Sequence, residues 1–108
     1  MVKNGMRPVH PGEVLLEEFM KPARPAINAN MLAKAIGVPA NRITAILKAQ
    51  RGITGDTAVR LGMFFNTSPE FWMNLQKTYE LRLAERALPV RARKHIERQR
   101  ESLASAGC

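Results

Sequence analysis

Asn41, Arg42, Thr44 and Ala45 fall within five consecutive positions, ANRITAIL being the stretch that holds them. An asparagine amide can bridge adenine, an arginine guanidinium can bridge guanine, and alanine or threonine methyls can touch the thymine methyl. With Ala40 at their head, these residues form a set able to read base edges. Lys48, Gln50 and Arg51 follow and suit phosphate contacts, which position a protein on DNA without reading sequence. Asn28 and Asn30 stand where a preceding helix starts, and its backbone N–H groups can also meet phosphate. A solvated helix face is the alternative for the same residues, so the elements carrying them have to decide.

Covalent chemistry has weaker material. His10 lies in an N-terminal arm and His95 in a basic tail, and neither has a neighbour at metal-ligand spacing. Glu13 and Glu17 share a helix face with no sign of a pocket, and no glycine-rich phosphate loop is present. Cys108, the single cysteine, is the last residue. The expectation is a protein without catalytic residues, metal or cofactor.

The elements argue for the DNA-reading arrangement. Asn28 is a good N-cap, and Leu32, Ala33 and Ile36 give the following helix an inward face. Gly37 stands where a left-handed C-terminal cap is wanted. A helix-turn-helix built on that glycine needs a small residue four positions earlier, an apolar plug just after it, and inward apolar residues six and nine positions later. Ala33, Val38, Ile43 and Ile46 satisfy all of these. The pattern is a geometry of side-chain sizes, and it puts the N-terminal outward residues of the second helix in a major groove.

Around this unit the sequence predicts an all-α fold of about five helices. Pro11 and Glu13 suit a first turn, with an apolar stripe of Val14, Leu15, Leu16 and Phe19 ending near Met20. Thr54 caps a fourth helix with Ala58, Leu61 and Phe65 inside, and Asp56 can pair with Arg60 one turn on. Ser68-Pro69-Glu70 starts a fifth, followed inward by Phe71, Trp72, Leu75, Tyr79 and Leu83, until Pro89 breaks it. The organisation expected is an arm at 1–10, a DNA-binding and dimerisation domain at 11–88, and a basic tail at 89–108, disordered or a short helix carrying Val90, Ile96 and Leu103.

Composition sets outer bounds. One domain is expected from 108 residues, and 17 Lys/Arg against 9 Asp/Glu give a net charge of +8, which favours polyanionic partners. No signal peptide or membrane-spanning run is evident, and a lone cysteine fits a reducing cytoplasm, the expected location.

Beyond the bare motif, HPGEVLLEEFMKP, LAKAIGVPANRITAIL, RGITGDTAVRLGMFF and NTSPEFWMNLQKTYEL follow one another in order. Together they resemble the HigA-type antitoxins, a group within the Xre/Cro/C1 repressor-like proteins, over roughly residues 6–85. The resemblance implies a helical DNA-binding homodimer that neutralises a HigB-type, RelE-like endoribonuclease toxin and represses its own operon at double-stranded operator DNA. A dimer would set two recognition helices about 34 Å apart. Pro39 replaces the serine often found before the recognition helix, and the tail lies outside the match. Phe71, Trp72, Leu75 and Tyr79 are candidates for the dimer seam, since an isologous interface needs a self-complementary apolar patch and aromatic anchors supply it; closing the monomer's core is the alternative. Glu13, Glu17 and Glu18 are candidates for toxin contact, because a ribonuclease should be basic. A stand-alone phage-type repressor and an RNA-binding protein are the competing readings.

Overall fold

The computed structural model describes residues 7–106, and all its regular elements are helical. Helix α1 opens at Pro11–Val14 and continues through a π-helical segment, Leu15–Met20. Then come α2 (Ala29–Ile36), α3 (Ala40–Leu47), α4 (Gly55–Phe65), α5 (Pro69–Ala87) and α6 (Val90–Ala106). Six helices thus replace the five expected. No described helix is long and apolar enough to cross a membrane.

The local signals act as their chemistry demands. The Asn28 carboxamide oxygen accepts from the Met31 N–H at 2.8 Å, the Thr54 hydroxyl from Thr57 and the Ser68 hydroxyl from Phe71. Gly37 takes φ of +74° and closes α2, a conformation without penalty only for glycine. Asn66 closes α4 in the same left-handed region. The third helix ends without a glycine. Ala49, with φ of +59°, turns the chain after Lys48, ahead of Gly52.

The π segment explains how LLEEFM serves two environments. The Lys21 N–H bonds to the Leu16 carbonyl, five residues back. This wider turn sends Leu15, Leu16, Phe19 and Met20 inward and leaves Glu17 and Glu18 together outside.

The core joins Leu15, Met20, Leu32, Ala33, Ile43, Ile46, Ile53, Ala58, Leu61 and Trp72. Trp72 is fully buried, and its indole N–H donates to the Thr67 hydroxyl at 2.8 Å. Phe19 packs against Phe65, Phe71 and Trp72 with ring centroids 5.1, 5.8 and 4.9 Å apart. Trp72 is therefore removed from the candidate dimer seam. The Thr67 partner supplies the one hydrogen bond the indole needs, so the ring can be sealed inside.

Two boundaries also move. Arg7 to His10 belong to the domain rather than to a loose arm: Arg7 pairs with Glu13, Pro8 and Val9 are half-buried, and His10 is buried. The rest of the arm and Cys108 fall outside the described residues. The basic tail is a 17-residue helix, not a disordered segment. Leu83 is exposed, because α5 outruns the core by two turns before Leu88 adopts the extended conformation that Pro89 imposes.

Candidate functional site

The helix-turn-helix scaffold is assembled as its spacing requires. Ala33, Ile43 and Ile46 are buried, and Val38 packs against the core. Arg60 adds a clamp. Its guanidinium donates to the Ile36 carbonyl at 2.7 Å and the Gly37 carbonyl at 3.3 Å, and Nε donates to Asp56 at 3.0 Å. Arg60 thereby satisfies the carbonyls that α2 leaves open, and Asp56 keeps it aimed.

On the outward side of α3, Ala40 and Asn41 are exposed, and Thr44 and Ala45 are half-exposed. The Thr44 hydroxyl donates to the Ala40 carbonyl at 3.2 Å, so its methyl is the group left for an apolar contact. Lys48, Gln50 and Arg51 are exposed just past the helix, and Asn28 and Asn30 at the start of α2. Arg42 departs from expectation. Its side chain is 26% exposed, lies 3.5 Å from the Asp56 carboxylate, and has its Nε sealed without a partner. In this conformation Arg42 braces α3 against α4 and is not an open base reader, because Asp56 offers the nearest anion.

Three residues without an expected role hold this unit in place. Gly12 lets α1 cross the C-terminal end of α3 so closely that an added methyl would overlap the Ile46 carbonyl. Gln76, buried on α5, accepts from the Ile53 N–H at 2.8 Å and donates to Glu80, fixing the link after α3. His10 caps α1: its Nδ1 accepts from the Gly12 N–H at 2.9 Å, the ring is hydrogen-bonded to the Arg51 backbone, and it meets Tyr79 edge-on at 4.8 Å. The signal for Gln76 was available, as a polar residue one turn after Trp72 on the inward face. His10 had a capping signal in His-Pro-Gly-Glu, since N1 proline follows it.

Burial pushes the His10 imidazole below its ordinary value, an effect opposed in part by the bond to Arg51. Its Nδ1 accepts a hydrogen bond, so the neutral ring is the native form. The unfolded chain takes up a proton below about pH 6.5 while the native state resists. Stability is therefore full above that pH and declines as pH falls through the lowered folded value. Melting temperatures of the chain from pH 8 to pH 5 should fall with acidification, and His10→Asn, which keeps a capping acceptor, should flatten the slope; an unchanged slope would exclude His10 as its source.

The remaining candidates come together in a place not anticipated. A groove of about 740 Å³ between α1 and α5 is lined by Glu13, Glu17 and Glu18 and also by Phe71, Leu75 and Tyr79. The acidic and aromatic sets, assigned separately to toxin and dimer, share one surface. Glu13 is held by Arg7 at 2.8 Å, which keeps its carboxyl below the usual carboxylate range, and Glu17 pairs with Lys21 at 2.9 Å. Glu18 makes no ion pair among the described residues, so it is the freely available acid of the three. No group of three or more His, Cys, Asp or Glu in the described residues could hold a metal ion.

No protein-family model matches the chain. Individual proteins do. An addiction module antidote protein of a HigA family from Coxiella burnetii superimposes with a TM-score of 0.72 at 48% identity, over 86% of this chain and 95% of that one. Antitoxin HigA-1 of Vibrio cholerae is 35% identical over 81 residues, covering 75% of this chain and 74% of its own. The chain belongs to the HigA family of antitoxins. A Pseudomonas aeruginosa antitoxin HigA, solved with the higBA promoter, matches this HigA-type chain at 47% identity and a TM-score of 0.71, over 75% of this chain and 86% of that one. The two compared structures superimpose on most of this chain's length.

Proposed function

We propose that this chain is an antitoxin that represses its own operon by sequence-specific binding of double-stranded DNA and neutralises a HigB-type endoribonuclease. The observation that carries the DNA half is the exposed face of Ala40, Asn41, Thr44 and Ala45 on a buried helix-turn-helix frame. A similar protein solved on promoter DNA supports it. In this reading Asn41 is the principal base reader, since its amide projects freely and can bridge adenine. Lys48, Gln50, Arg51 and the N-terminus of α2 with Asn28 and Asn30 hold phosphates. The protein acts as a homodimer on a palindromic site, with Phe71, Leu75 and Tyr79 at the seam. The toxin half rests on family membership. The protein carries out no catalysis of its own and works in the cytoplasm.

The two halves are separable by experiment. Asn41→Ala should weaken operator binding by about 1–3 kcal/mol without changing the melting temperature. Coexpressed with the toxin encoded beside it, the same variant should still restore growth. Unchanged operator affinity would move the reading surface away from α3. Failure of the unaltered chain to rescue growth, with repression intact, would leave a stand-alone repressor.

A further inference from the structure

Helix α6 carries a stripe that nothing among the described residues of its own chain covers. Ala92, Ile96, Gln99 and Leu103 follow at spacings of four, three and four, the repeat of a helix-packing seam. Ile96 and Leu103 are 56% and 68% exposed, and no described side chain of α6 is buried. On a helical projection the stripe is flanked by Arg93 and Arg100 on one side and His95 and Ser102 on the other. Both acids, Glu97 and Glu101, project from the back. The borders of the seam are thus cationic or neutral throughout.

The groove between α1 and α5 has the complementary character. Its floor includes Val14, Phe71, Leu75 and Tyr79, and Glu17 and Glu18 stand on its α1 wall. Its cations are already engaged, Arg7 by Glu13 and Arg82 by Glu85. Helix α6 does not fold back onto it. With Leu88 extended before Pro89, α6 leads away, and the molecule measures 61 × 26 × 23 Å.

We propose that this groove receives α6 of a second copy of the chain, in a reciprocal exchange about a twofold axis. The inference rests on the dimer reading above and names what covers the seam. Ile96 and Leu103 enter the apolar floor, and Arg93 and Arg100 meet Glu17 and Glu18. Two α6 helices packed on each other would instead bring Arg93 and Arg100 against their own kind, which costs free energy. Binding α6 to DNA through its arginines would leave the apolar stripe in water. Exchange through a short hinge closes after two copies and leaves no unpaired surface.

Molar mass in solution, followed across protein concentration, tests this with the full chain. The unaltered protein should be a dimer. Ile96→Asp with Leu103→Asp, both at exposed positions, should raise the dimer dissociation constant about a hundredfold or more while helicity persists. Glu17→Lys with Glu18→Lys should weaken the dimer, and adding Arg93→Glu with Arg100→Glu should restore it. A dimer indifferent to the α6 substitutions would overturn the exchange and leave the dimer reading standing. A monomeric unaltered chain would overturn both. A monomer whose melting temperature follows the charge swaps would show that α6 closes on its own groove, also against the proposal.

Discussion

Replacing Trp72 with alanine is expected to cost about 3–5 kcal/mol and to lower the melting temperature by about 12–40 °C. The indole is fully buried among Phe19, Phe65 and Phe71. Its removal also leaves the Thr67 hydroxyl without the N–H at 2.8 Å. For a domain whose total stability falls in the usual range of about 5–15 kcal/mol, that is much of the whole. Trp72→Phe keeps most of the packing and should cost only about 1–2 kcal/mol, the worth of the lost hydrogen bond and a small gap. Thermal unfolding followed by circular dichroism distinguishes a core role from a subunit seam. A seam residue would change molar mass with the monomer still folded; retention of a cooperative transition near the original temperature in Trp72→Ala would refute burial in the core.

Gly12→Ala should be nearly as damaging, by the opposite means. The new methyl meets the Ile46 backbone carbonyl, which cannot rotate away as a side chain could. Overpacking of this kind costs about 3 kcal/mol, or about 12–24 °C in melting temperature. Because Ile46 lies in the last turn of α3, operator affinity should fall as well, although Gly12 is on no outward face of that helix. Gly55→Ala is the control: a methyl there meets nothing within 4 Å, and an alanine in the first turn of α4 should be neutral or slightly stabilising. If Gly12→Ala melts and binds DNA like the unaltered chain, α1 does not press on α3 as described.

Local structure was largely legible because its causes are local. Asn28, Thr54 and Ser68 cap the helices they precede, and Gly37 turns where a left-handed residue is required. Ala33, Val38, Ile43 and Ile46 follow from helical geometry and side-chain size alone. What depends on a distant partner was not legible. The fate of Trp72 was decided by Phe19, fifty-three residues back, and that of Arg42 by Asp56, fourteen residues on. The acids of α1 and the aromatics of α5 read as two surfaces because nothing in either segment says that they face each other. The tail read as either disordered or a short helix because its apolar residues find little cover in the described chain, which composition registers as having little to bury. The π turn left no mark that periodicity could separate from an ordinary stripe.

The contact of His10 with Tyr79 closes the domain from end to end, across nearly seventy residues. A ribosome delivers these groups in order, so the cap of α1 stays open to water until α5 has emerged and docked. Trp72 and Gln76 arrive on that same helix and complete the support beneath α3. A nascent or prematurely ended chain that lacks α5 therefore has neither a braced reading helix nor a groove. The surface facing DNA and the surface between α1 and α5 become available at the same moment of synthesis, and proteolytic loss of α5 would withdraw both together.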